Sequence, residues 1–159
     1  AAMLRDGMVE MRRVMDVMPQ PAVVGAMDRL NPVSHNVGHL LGREDRLWNV
    51  GQAGLAPSEA LAALEVTRDP APLPWEPAQA AYRDVEQRIA PWLDALDGPA
   101  AAKPMPWHNE PSSVGAQLAR SATHFFAHAG ESMAHASLYG TRDIGMPGDF
   151  AHVAAALTD

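Results

Sequence analysis

The chain has 159 residues, of which 47% are hydrophobic and 19% are charged. This balance excludes a disordered chain and is typical of one globular domain, here spanning residues 1–159. The formal net charge of −7 argues against an extended surface for nucleic acid, and the absence of cysteine excludes disulfide bonds and thiolate metal sites.

The kinds of apolar residue indicate the fold class. Much of the apolar content is alanine and methionine, which favour helix over sheet, and no convincing alternating strand pattern occurs. The sequence contains no apolar run long enough to span a bilayer, and its first residues do not show a basic segment followed by an apolar one. We therefore expect an all-α protein that is cytoplasmic and does not contact a membrane.

Two amphipathic helices are predicted in the first third of the chain. Residues 3–18 carry apolar side chains at every third or fourth position, with arginines between them, and Pro19 stops this helix. Residues 23–30 can add a further turn or two. A second helix is predicted over residues 32–50, with Asn31 as its N-cap and a proline in its first turn.

A proline-rich stretch separates the second helix from the third. Residues 58–67 are predicted to form a short helix capped by Ser58, and four prolines then fall within residues 69–77. This stretch is too long for a tight helical hairpin, so we expect a crossover between parallel helices. The third helix is predicted over residues 78–96 and is expected to be kinked or split at Pro91.

The fourth predicted helix spans residues 113–139, and the rest of the chain is organised around it. Serine at its start suits an N-cap, and Gly140 suits the left-handed residue that ends a helix. Only Arg120 and Glu131 are charged between these caps, so we expect the helix to be covered nearly all round. A polar stripe nevertheless follows one face, at steps of four and three residues: Gln117, Ser121, His124, His128, Glu131 and His135.

Three histidines are the candidates for a metal site. His124 and His128 lie one turn apart on the fourth helix, and His39 lies on the second. Neutral imidazoles from two rigid helices leave open positions on a divalent ion, as in catalytic sites. Glu131 is a candidate acceptor that fixes a histidine tautomer, a fourth ligand or a general base. The alternative is that these histidines only pack in the core, because a pair at this spacing also occurs by chance.

The remaining candidates are assigned other roles. His35 shares a face with His39 and is an alternative ligand, whereas His135 is two turns from the pair and is expected to be a satisfied core or interface residue. Motifs for a nucleophilic serine, a phosphate-binding loop or a dinucleotide are absent. Surface positions are expected for His108 and His152, and packing roles for Trp48, Trp75, Trp92 and Trp107.

Two segments resemble the DinB-like (DinB/YfiT) superfamily: SHNVGHLLGREDRLW on the second helix and THFFAHAGESMAHASLYG on the fourth. The resemblance extends to PGDF at residues 147–150. It implies a four-helix bundle with an unusual order of helix directions, a divalent metal on three histidines, and frequent dimers. Carried over to this chain, the metal ligands are His39, His124 and His128. Glu131 departs from the family, which more usually has glutamine there.

The same resemblance directs the functional expectation. Members of the family include transferases and isomerases that use low-molecular-weight thiols, and metal-dependent hydrolases. We therefore expect a metal-dependent transferase with a small thiol cofactor; the alternatives are a hydrolase and a non-catalytic, stress-related metal-binding protein. The expected ion is zinc or nickel, with manganese or iron as alternatives. The expected partners are a small-molecule substrate and a second copy in a homodimer, but neither nucleic acid nor a membrane.

Overall fold

A computed structural model describes residues 1–27, 30–106 and 110–141. Within these ranges the chain is mostly helical and contains no strand, so the predicted all-α class is confirmed. The predictions for Trp107, His108, His152 and residues 147–150 lie outside the described residues. The helices are α1 (Ala2–Asp16), α2 (Gln20–Val24), α3 (Val33–Glu44), α4 (Glu59–Ala62), α5 (Trp75–Ala95), α6 (Gly98–Ala101) and α7 (Val114–Leu138).

Helix α3 does not end at Glu44 but continues as a π-helical segment, Asp45–Val50. The predicted end of the second helix near residue 50 is therefore correct, although the change of helix type was not predicted. The predicted N-cap is wrong, because Pro32 occupies that position and makes no side-chain cap. The Asn31 amide instead donates to the Asn36 side chain at 3.4 Å.

Helix α5 shows how proline is tolerated at two positions. The helix begins at Trp75, earlier than predicted, because Pro77 falls in the first turn, where backbone N–H groups have no intrahelical partner. It then runs through Pro91 to Ala95 without being split. Ile89 and Leu93, on either side of that proline, are buried and hold the helix against the core.

Both predicted ends of the fourth helix are observed. The Ser113 hydroxyl accepts a hydrogen bond from the Ala116 N–H at 3.2 Å and so satisfies one donor of the first turn. Gly140 follows the C-cap with a φ of +87°, a left-handed conformation that favours glycine.

Helix α7 packs chiefly against α1 and also contacts α3, which in turn packs against α5. The approach of α1 to α7 depends on Gly7, because a Cβ atom there would lie 2.9 Å from the Phe125 Cβ. The large apolar side chains of α7, such as Leu118 and Phe125, are buried within one chain. The prediction that α7 is covered nearly all round is wrong, because small side chains are tolerated in solvent. Its exposed positions include Ala116, Ala119, Thr123, Ala127 and Ala134.

The segment between α3 and α5 is anchored to α3. The buried Ser34 hydroxyl donates to the Val23 carbonyl at 2.8 Å and accepts from the Leu73 N–H at 2.9 Å. Further along, the Asp45 carboxylate accepts from the Ser58 N–H at 3.0 Å. These bonds fix the position of the segment beside the helix that carries His39. In the part of the chain that the structure describes, no helix combines the length and apolarity that crossing a membrane requires.

Candidate metal centre

Helices α3 and α7 bring the three predicted histidines together. One ring nitrogen from each of His39, His124 and His128 lies within 4.8 Å of the other two. The ring centroid of His39 lies 5.2 Å from that of His124 and 5.6 Å from that of His128. His39 is exposed and the other two are partly buried, so the group sits between the helices with one side open to solvent.

The nitrogen positions are close to those that an ion requires. The Nε2 atoms of His124 and His128 are 3.1 Å apart. Two nitrogens bound about 2.0–2.1 Å from a tetrahedral ion are separated by roughly 3.4 Å, so a small rotation of either ring suffices. His39 then supplies the third ligand from the opposite helix. The donor set is three imidazoles without cysteine, which suits zinc, nickel or iron better than calcium or magnesium.

Glu131 fixes the orientation of one ligand. Its carboxylate lies 2.9 Å from Nδ1 of His128. When Nδ1–H donates to this carboxylate, the Nε2 lone pair of His128 is directed at His124, which is the tautomer that metal binding needs. Of the three roles predicted for Glu131, the geometry therefore matches that of an acceptor that fixes a histidine tautomer. By contrast, Nδ1 of His124 is buried and has no hydrogen-bond partner among the described residues.

The surroundings of His39 and His124 disfavour the protonated forms of these two residues. Burial, together with the nearby charges of His128 and Arg43, lowers the pKa of His124 to about 4. Burial, followed by the charge of His128, likewise lowers the pKa of His39. Because a metal ion binds the neutral imidazole, little free energy is needed to remove protons from these two residues near pH 7.

A buried polar cluster joins α3 to α7 next to the histidines. Glu44 is fully buried and pairs with Arg43, and it accepts from the Trp48 indole N–H at 2.6 Å. Ser121 accepts from Arg43 at 2.6 Å and from Trp48 at 3.0 Å. Burial raises the pKa of the Glu44 carboxyl, although Arg43 acts in the opposite direction. This cluster fixes the positions of the two helices that carry the ligands.

A cavity of about 880 Å³ is lined by two of the three histidines, His39 and His124. Its volume lies in the range of small-molecule sites. Val66 contributes the wall from the α3–α5 segment, beside Gly38, where an added Cβ would lie 2.9 Å from the Val66 Cγ2. The lining residues are His39, Gly42, Arg43, Arg46, Val66, Arg120, Thr123, His124 and Ala127.

The other sequence candidates lie outside the ligand group. His35 is buried and is not one of the three converging histidines. His135 is 1% exposed, as expected of a core residue, and its Nε2 has no hydrogen-bond partner among the described residues. Trp48 is fully buried and stacks on Trp92 at 5.6 Å, in agreement with a packing role.

Sequence reasoning missed the arginines of the cavity. Arg43 follows His39 by four residues, and Arg120 precedes His124 by four residues, so each lies one turn from a ligand. That spacing was a signal for both of them. No such signal existed for Arg46, because its position depends on the π-helical segment that carries it.

Comparisons of the chain with protein-family models, with curated proteins and with solved structures found no match. The functional case therefore depends on the site itself.

Proposed function

We propose that the chain is a DinB-like metal-dependent transferase that uses a small thiol cofactor. In this proposal, His39, His124 and His128 hold one divalent ion, with zinc or nickel preferred. The fold is proposed to be a four-helix bundle built from α1, α3, α5 and α7, with a long proline-rich crossover before α5.

The observation that carries the proposal is the convergence of three imidazoles, two of which, His39 and His124, line a cavity of about 880 Å³. A bound divalent ion supplies Lewis acidity there, which lowers the pKa of a coordinated thiol or water. The chain's own residues orient the candidate ligands and position the helices that carry them. Glu131 orients the His128 ring, and hydrogen bonds from Arg43 and Trp48 to Ser121 connect α3 and its π-helical segment to α7.

The cavity has room for the two reactants of a transfer reaction. Ligand sites for one drug-sized molecule span about 300–1,000 Å³, so this cavity can hold a small thiol and a small electrophile side by side. Hydrolysis needs room for one substrate and a water molecule only. Holding two reactants in adjacent positions is itself a large source of rate enhancement.

The test is whether turnover depends on thiol. Metal-loaded protein is mixed with 2-mercaptoethanol and the electrophile 1-chloro-2,4-dinitrobenzene, and in parallel with p-nitrophenyl acetate without thiol. We expect the first rate to saturate with thiol concentration and to fall to the uncatalysed rate in His124→Ala. Ester hydrolysis without any thiol dependence would indicate the hydrolase alternative. Inactivity in both assays at full metal occupancy would indicate a non-catalytic, stress-related binding protein.

The proposal includes a homodimer in the cytoplasm. Leu118 and Phe125 of α7 are buried within one chain, so they do not support a dimer. What supports a partner is a set of exposed apolar side chains on α1, directly after it and at the end of α7: Met3, Val9, Val17 and Leu138. The lack of cysteine fits a reducing compartment.

A further inference from the structure

The cavity beside the histidines has a charge opposite to that of the whole chain. The sequence carries 19 acidic and 12 basic residues, for a net charge of −7. Yet Arg43, Arg46 and Arg120 line this cavity, and no described residue that lines it is Asp or Glu. A cavity with walls of one sign concentrates ligands of the opposite sign. The local charge therefore indicates an anionic ligand.

The three arginines are not equivalent. Arg43 is only 11% exposed in its side chain and is paired with the buried Glu44, so most of its charge is already matched. Arg46 is exposed, and its side chain makes no hydrogen bond or ion pair within the described ranges. Arg120 is also exposed, and its charge is felt at His124. Arg46 and Arg120 are therefore the two positive side chains best placed to meet a ligand.

Both arginines lie within about two helical turns of a candidate metal-binding histidine on their own helical segment. Arg120 precedes His124 by four residues, about 6 Å along the axis of α7. Arg46 lies seven residues beyond His39, a rise of roughly 10 Å along α3 and the π-helical segment that continues it. The backbone at Arg46 is π-helical, a rare conformation that occurs frequently at functional sites. Glu131, the nearest carboxylate on α7, contacts His128 at the opposite end of the histidine group.

We propose that Arg46 and Arg120 bind a carboxylate of the ligand while the other end of the ligand reaches the three histidines. This inference rests on the proposed function, and it specifies the chemical class of the thiol: a small thiol with a carboxylate a few bonds from its sulfur. A divalent ion on three neutral imidazoles keeps its positive charge, so both ends of such a ligand meet positive groups. Guanidinium groups are well suited to carboxylates because their donors are planar and fixed.

The experiment uses the cobalt(II)-loaded protein and two thiols of similar size. 3-Mercaptopropionate carries the carboxylate, and its methyl ester does not. Binding is followed by the thiolate-to-cobalt absorption in the near ultraviolet, which does not require turnover. We expect the carboxylate to bind about tenfold more tightly than the ester, as one charge-assisted contact implies. Arg46→Gln and Arg120→Gln should each reduce that preference, whereas Arg83→Gln, an exposed arginine on α5 outside the cavity, should leave it unchanged.

The outcomes separate this inference from the function on which it rests. Equal affinity for the two thiols, or a preference that survives both substitutions, overturns the carboxylate site but leaves thiol binding at the metal intact. If neither thiol gives the absorption although cobalt is bound, the thiol function is wrong. In that case, calorimetry measures whether metal-free protein binds the dicarboxylate glutarate through these arginines. Binding that Arg46→Gln weakens supports the anion site, and the absence of binding rejects it.

Discussion

Alanine substitutions at two helical glycines test the packing that positions α7. Gly7 lies at the α1–α7 contact, where an added Cβ would be 2.9 Å from the Phe125 Cβ and 3.2 Å from the Ala122 carbonyl oxygen. Gly42 lies on α3 at the cavity, where an added Cβ meets nothing within 4 Å. Both positions are helical, so replacing either glycine by alanine removes the same backbone entropy penalty, about 0.5–1 kcal/mol.

The two substitutions should therefore have opposite effects. Gly42→Ala is expected to raise the free energy of unfolding by about 0.5–1 kcal/mol. Gly7→Ala gains the same term but forces two helices apart, and overpacking of this kind costs about 1–3 kcal/mol. The Ala122 carbonyl is backbone and cannot rotate away. We expect Gly7→Ala to be less stable than Gly42→Ala by about 1–3 kcal/mol.

Urea denaturation of metal-free protein followed by circular dichroism measures this difference, and similar slopes for the two variants would show that the denatured states are comparable. A difference below about 0.5 kcal/mol, or a Gly7→Ala variant as stabilised as Gly42→Ala, would refute the close approach of α1 to α7. It would also remove the support that α1 gives to the helix carrying His124 and His128.

Three further predictions concern the site and the assembly. Glu131→Ala should weaken metal affinity by about 10–100-fold, and Glu131→Gln should weaken it less, because the glutamine side chain can still accept a hydrogen bond from His128. Competition with a chromogenic chelator measures both affinities. Equal affinities in the wild type and the two variants would exclude the orienting role of Glu131. The free energy of unfolding of the metal-free protein should fall by up to about 2 kcal/mol, after solvent screening, as pH falls from 6.5 towards 4. The reason is that unfolded His124 takes up a proton in this range, whereas folded His124, with a pKa of about 4, does not. The same dependence of stability on pH in His124→Asn would contradict this. Sedimentation at micromolar concentration should give a dimer, and a species of 17.0 kDa would exclude it.

The parts of the fold that the sequence predicted well are governed by local chemistry. Ser113 and Gly140 mark the ends of α7 because capping and left-handed backbone depend on a few neighbouring residues. The polar stripe of α7 was also predictable, since helical periodicity alone places His124, His128 and Glu131 on one face.

Features that depend on tertiary contacts were not predictable in the same way. Nothing local to residues 45–50 specifies a π-helix; there, Asp45 bonds to Ser58 of the next segment, and Asn49 donates to the Val85 carbonyl of α5 at 3.2 Å. Pro91 is predicted to kink or split α5, and the helix is not split, because burial of the neighbouring Ile89 and Leu93 holds it against the core.

The candidate site shows the same division. Spacing alone selects the pair His124 and His128, whereas His39 was preferred to His35 because its segment resembles a known family. The cavity and Arg46 could not be predicted, because they depend on where the α3–α5 segment places Val66 and on the π-helical segment that carries Arg46. An exposed arginine has no sequence pattern of its own that would separate a ligand contact from a solvated side chain.

The central claim is that His39, His124 and His128 hold one divalent ion. Elemental analysis of protein purified without an affinity tag, after loading with zinc or nickel and dialysis, tests it most directly. We predict one equivalent of metal in the wild-type chain and in His35→Ala, and loss of stoichiometric metal in His39→Ala, His124→Ala and His128→Ala. Full occupancy in both His124→Ala and His128→Ala would contradict the claim.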